Sequence, residues 1–155
     1  MSRKPPSTST IQQPMTDEDR VDLGAIAFVF LACSELTDCD LSSAEMGAIV
    51  SRIHTWLPVG DEPAVERALR AAVAEYEALE TAEARLDQLG AHAARLRARL
   101  NHEQRTRIIT DLITIAEADG RVLDAERGFI EAAARTFEVD LCACDPRASD
   151  PRACS

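Results

Sequence analysis

Asp38-Cys-Asp-Leu-Ser-Ser-Ala-Glu45 and Asp119-Gly-Arg-Val-Leu-Asp-Ala-Glu126 are two versions of one pattern, with an aspartate and a glutamate seven positions apart in each. The match continues at a constant offset: Ala44, Glu45, Gly47 and Ile49 fall on Ala125, Glu126, Gly128 and Ile130, and Trp56 falls on Phe137. An internal repeat that places acids ahead of apolar residues at helical spacing predicts two similar helix–loop–helix units, each with carboxylates at its bend.

The segments around these bends read as helix throughout. They are rich in Ala, Leu, Arg and Glu, their apolar residues recur at three- and four-residue steps, and no alternating strand pattern competes. The expected fold class is therefore all-α, a compact bundle of about six to seven helices containing the two pseudo-repeated units. Thr16-Asp-Glu-Asp opens the first helix, whose apolar run extends from Val21 to about Ala32. Ser42-Ser-Ala-Glu45 opens the second, which runs to about Leu57 before Pro58 and Gly60.

A third helical segment starts at Asp61-Glu-Pro63 and carries the stripe Val65, Leu69, Ala72, Tyr76, Leu79, Ala82, Leu86, Leu89, Ala93, Leu96 and Leu100. Unbroken, this helix would be too long for the domain. A break near Thr81 or Gly90 is expected, giving an antiparallel hairpin or two angled helices, with a coiled-coil homodimer as the alternative. Asn101-His-Glu-Gln104 caps a helix from Arg105 to about Ala118, and a last helix runs from about Asp124 to Phe137.

Composition narrows the class of function. At 155 residues and 46% hydrophobic, the chain is one domain of ordinary size, able to bury roughly 70% of its unfolded surface without metal or disulfide. A balance of 17 Lys+Arg against 27 Asp+Glu, net charge −10, repels phosphate backbones and argues against nucleic acid as a partner. Residues 1–15, rich in Pro, Ser and Thr with no apolar core, read as a disordered arm rather than a signal peptide, so a cytoplasmic location is expected. Gly24 to Cys33 is the most apolar stretch, and at about half the roughly 20 residues of a membrane span it reads as a buried helix.

The three cysteines Cys142, Cys144 and Cys154 sit in a Pro-containing tail, 142–155, expected to be flexible. No histidine lies near them in sequence to complete a closed zinc site, and Cys33 and Cys39 are expected to serve as small apolar residues. Sequence motifs for catalysis are lacking: there is no Gly-rich phosphate loop, no Gly-x-Ser-x-Gly elbow and no His-Glu-x-x-His, and His54, His92 and His102 are scattered. Arg95, Arg97, Arg99, Arg105 and Arg107 form a basic feature against the acidic whole, best read as helix-end cations and partners of nearby acids.

The repeated acids admit two explanations. Ser42 with Glu45 makes a capping box in the first copy, and Asp119-Gly120 is a common turn pair in the second, so helix ends and turns alone account for part of the pattern. In the second copy Leu123 stands where Ser42 does and cannot cap, while a cap at Asp124 would pair with Arg127 and leave Glu126 outside that role. If the bends converge, Asp38, Glu45, Asp119 and Glu126 form an all-oxygen cluster suited to a hard cation, Ca²⁺ or Mg²⁺, with Arg121 and Arg127 as alternative counter-charges. Neither copy is an EF-hand, because the twelfth position is Ile49 in one and Ile130 in the other.

Ile115-Ala-Glu-Ala-Asp-Gly-Arg-Val-Leu-Asp-Ala-Glu126, followed by Ile130 and Phe137-Glu-Val-Asp140, resembles the TerB-like (tellurite-resistance) domain over roughly residues 16 to 141. The resemblance implies a bundle of about seven helices with two such units and an acidic cluster regarded as a metal site. Its positions correspond to Asp119, Gly120 and Glu126, with Asp38 and Glu45 in the first copy, where Cys39 replaces the glycine. It further implies a non-enzymatic role in tellurite resistance and wider stress response, beside a protein partner that is membrane-embedded or itself binds metal. That role would place the domain at the periphery of the inner membrane. The rival expectation is an adaptor without metal, whose helical faces do the binding.

Overall fold

The computed structural model describes residues 17–38, 42–57, 62–118, 120 and 122–141, with side chains placed from Leu23 to Leu36 in the first helix and throughout the later segments. The arm 1–15, the tail 142–155 with its three cysteines, Cys39, the Pro58–Gly60 stop, Asp119 and Arg121 lie outside the described residues. Six helices and no strand occur among those described: α1 Asp17–Asp38, α2 Ser43–His54, α3 Glu62–Ala78, α4 Ala82–Arg99, α5 His102–Ala116 and α6 Asp124–Thr136.

The apolar stretch in the middle of α1 sets the architecture. Every residue from Ala25 to Ser34 is buried to 2% exposure or less. A helix that is apolar on all its faces must be enclosed on all of them, and α1 packs against each of the other five helices. It is also longer than its apolar run suggests, continuing through Ser34-Glu-Leu-Thr37 to Asp38 for 22 residues, or about 33 Å.

The long helical segment breaks at Thr81, not Gly90. Thr81 sits in extended backbone at φ −118° and its hydroxyl accepts the Ala84 N–H at 3.1 Å, so α4 has a proper start there. Gly90 continues the helix. The break rotates the stripe, and its former members part ways: Val65, Ala72, Tyr76, Ala93 and Leu96 are buried, whereas Leu86 is 55% exposed. The α3–α4 pair is tied by polar contacts as well. Arg95 donates to His92 Nδ1 at 2.6 Å, so His92 Nε2 carries the hydrogen and donates to Glu75 Oε1 at 2.8 Å, while the ring packs on Phe28 at 4.7 Å.

The end of α6 uses an unexpected residue. The Val139 N–H donates to Ala134 C=O at 2.9 Å and the Glu138 N–H to Arg135 C=O at 3.2 Å, which is the Schellman pairing. The residue in left-handed conformation is Glu138, at φ +56°, where glycine is usual. Its carboxylate is held by Arg97 at 2.5 Å and Arg105 at 3.8 Å, and Arg105 also donates to the Phe137 carbonyl at 3.0 Å. Two members of the basic feature therefore pin the end of α6.

Gly120, at φ +81°, does require glycine; Gly128, in α6, has open space where a Cβ would lie. Gly120→Ala is expected to lower stability by about 1–2 kcal/mol and Gly128→Ala to raise it by about 0.5–1 kcal/mol. Chemical denaturation of the two variants, read against the parent, checks both signs.

Candidate functional site

Both repeat glutamates sit at the third position of their helices, and both are buried: Glu45 is 1% exposed and Glu126 2%. Ser42 caps α2 as the sequence predicts. Its hydroxyl accepts the Glu45 N–H at 3.1 Å, and Glu45 Oε2 accepts the Ser42 backbone N–H at 3.0 Å and its hydroxyl at 3.1 Å. Glu126 does have a capping role, contrary to the sequence reading. Its Oε2 accepts the Leu123 N–H at 2.8 Å. Leucine has no oxygen to return the bond, so half of a capping box forms at α6; the carboxylate half needs only a backbone donor, which any residue but proline supplies.

Burial separates these carboxylates from ordinary caps. In a surface capping box one oxygen takes the backbone donor and the other faces water. Here Glu45 Oε1 is buried and has no hydrogen-bond partner among the described residues. Leaving a buried acceptor unsatisfied costs about 1–3 kcal/mol, and more when it is charged.

The two glutamates meet electrostatically at α1. The Cys33 thiol is pushed far above its ordinary range, first by burial, then by the negative charges of Glu126 and Glu45. One buried side chain of the central helix thus lies within electrostatic reach of the glutamates of both bends. Asp119 and the side chain of Asp38, the other two members of the expected cluster, lie outside the described residues. Among the described residues, no group of three or more His, Cys, Asp or Glu is arranged to hold a metal ion. Arg127, one of the two alternative counter-charges, lines a cleft beside the second bend with Glu117, Val122, Ile130 and Glu131.

A third buried acid escaped the sequence reading. Asp111 on α5 is 3% exposed and accepts the Trp56 indole N–H at 2.9 Å, with Arg52 at 3.7 Å. Arg107 lies over the Trp56 ring at 4.3 Å. The signal for it was present, since Asp111 falls among Ile108, Ile109, Leu112 and Ile115 on the face of α5 that turns inward. Burial raises the Asp111 carboxyl above its ordinary 3.8, against the lowering effect of Trp56, Arg107 and Arg52.

Of the three histidines, His54 and His102 are exposed and His92 is buried in the α3–α4 contact. No helix among the described residues is long and apolar enough to cross a membrane. A family model described as "Tellurite resistance protein TerB" matches residues 25–145, a span that holds all of α2 to α6 and both bends. No curated protein and no solved structure matches the chain.

Three outcomes follow from these buried groups. Asp111→Ala, which orphans the indole N–H and Arg52, is expected to cost about 1–3 kcal/mol. Because the folded carboxyl lies above its unfolded value, the folded state holds the proton more tightly. The Asp111 contribution should therefore decline as pH rises through the window between those values, a slope that denaturant titrations of the variant should lack. Cys33, in turn, should resist iodoacetamide at pH 8 in the native protein and react after denaturation, as read by mass spectrometry.

Proposed function

This chain belongs to the TerB family, and on that premise we propose that it is a non-enzymatic stress-response module of the tellurite-resistance type. Its buried bend carboxylates take a hard divalent cation, Ca²⁺ or Mg²⁺, and a protein partner reads the loaded state. The observation that carries the reading is Glu45 Oε1, a buried carboxylate oxygen without a donor among the described residues, on a carboxylate whose charge is felt at Cys33 together with that of Glu126. Two carboxylates buried near one another repel, and the more strongly the less water screens them. A cation between them removes that cost and satisfies the open oxygen.

Asp38 and Asp119, each seven residues before its glutamate, would complete an oxygen-only donor set. The cation would bind at the starts of α2 and α6 against α1, so loading would bear directly on how these helices seat. A cytoplasmic site of action fits this role, at the inner membrane where the partner is embedded there. The net charge of −10 favours a basic or cation-bearing partner.

A second reading has its own support, because both glutamates already cap helices. Under it the chain is a metal-independent adaptor, and the acids serve α2 and α6 alone. One pair of variants separates the two. Glutamine fills the third position of a capping box as well as glutamate does, so Glu45→Gln with Glu126→Gln keeps the caps and removes the charge. If a cation binds, millimolar Ca²⁺ or Mg²⁺ raises the melting temperature of the metal-stripped parent and not of the double variant. At about 100 times its dissociation constant the ion contributes about 2.7 kcal/mol. No rise with Ca²⁺, Mg²⁺, Mn²⁺ or Zn²⁺ in the parent would establish the adaptor reading instead.

A further inference from the structure

An open groove of about 210 Å³ runs between α4 and α6, with Val29 of α1 at its floor and Leu89, Ala93, Phe129 and Ala133 along its walls. At its edge stands Leu86, the one large hydrophobic side chain that is mostly exposed among the described residues. Arg97 of α4 meets Glu138, just past the end of α6, so the two helices run in the same sense and that pair closes one end of the groove. The face of α4 along the groove reads Glu83, Leu86, Gly90, Ala93, Arg97, at steps of three and four residues that share one side of a helix. Acid stands at one end of this stripe, base at the other, and a residue without a side chain at the midpoint.

We propose that this groove is a self-association surface, on which a second copy of the chain docks with its α4 antiparallel to the first and crossing at Gly90. Charge selects the orientation. A twofold axis through Gly90 pairs positions whose numbers sum to 180, so Glu83 of each copy meets Arg97 of the other, whereas a parallel arrangement sets Glu83 on Glu83. The same axis carries each Leu86 to the Ala93 end of the facing groove, a knob entering a gap between small residues. At Gly90 nothing stands within 4 Å of where a Cβ would lie, so the two backbones can approach closely there. Each α4 is 18 residues, about 27 Å, and a single helix crossing of that length is a small contact for a specific interface. The dimer is therefore weak and reversible.

Sedimentation velocity of the full chain from about 5 µM to 1 mM, a range in which a weak dimer dissociates, tests this. The expected result is a monomer–dimer equilibrium that weakens with salt. Leu86→Glu, on an exposed position, should raise the dissociation constant about tenfold or more while leaving the melting temperature in place. Glu83→Arg should weaken self-association, and so should Arg97→Glu, which also releases Glu138 and is therefore read beside Glu138→Gln; an equimolar mixture of the Glu83→Arg and Arg97→Glu chains should associate better than either alone, because only the mixed pair restores opposite charges at both ends. A chain that stays monomeric to 1 mM overturns the proposal, as does a dimer indifferent to Leu86→Glu or a mixture no better than its parts. In the monomeric case, self-association that appears once residues 142–155 are deleted assigns the groove of the full chain to that segment instead.

Discussion

The enclosure of α1 is the constraint on which everything else depends. Ten consecutive residues with no exposed face demand neighbours on every side, and five amphipathic helices supply them. A helix so placed leaves its neighbours little freedom to choose their own stacking order, since each must show its apolar stripe inward and its charges outward. It also means that any polar group facing α1 is buried by default. Glu45, Glu126, Asp111 and His92 are all buried in the shell around it, and each is held by a hydrogen bond to a backbone donor or a neighbouring side chain.

Local grammar was legible in the sequence and long-range grammar was not. The Ser42/Glu45 and Asn101/Gln104 boxes were readable because capping acts over three residues, and both form as expected. The all-helical class followed from periodicity, and the family match over residues 25–145 agrees with the resemblance drawn from Ile115 to Glu126. The choice of Thr81 over Gly90 as the break was open, because a hydroxyl cap and a helix-weakening glycine give signals of similar strength. The same ambiguity hid the fate of Leu86, which a continuous stripe would have buried.

Other features depended on partners far away in the chain. Trp56 and Asp111 lie 55 positions apart, and nothing near either announces the other. Glu138 breaks a local rule at the end of α6, and two arginines from α4 and α5 compensate for it. The basic feature thus acts mainly inward. Of the candidate site, the sequence could not tell that the two glutamates would be buried, and the cap that Glu126 makes was hidden because it uses the backbone N–H of Leu123, which residue type does not reveal.

Trp56 is the chain's one tryptophan, and its surroundings make it a natural optical reporter. Its indole N–H is held at the ring edge by the Asp111 carboxylate, and the Arg107 guanidinium lies over the ring face, both from α5. Charges at the edge and over the face of an indole tune its emission, so a shift of α2 against α5 would change the colour or yield of its fluorescence. Since α2 begins at the first acidic bend and the indole follows its last turn, events at that bend reach the fluorophore through a single short helix.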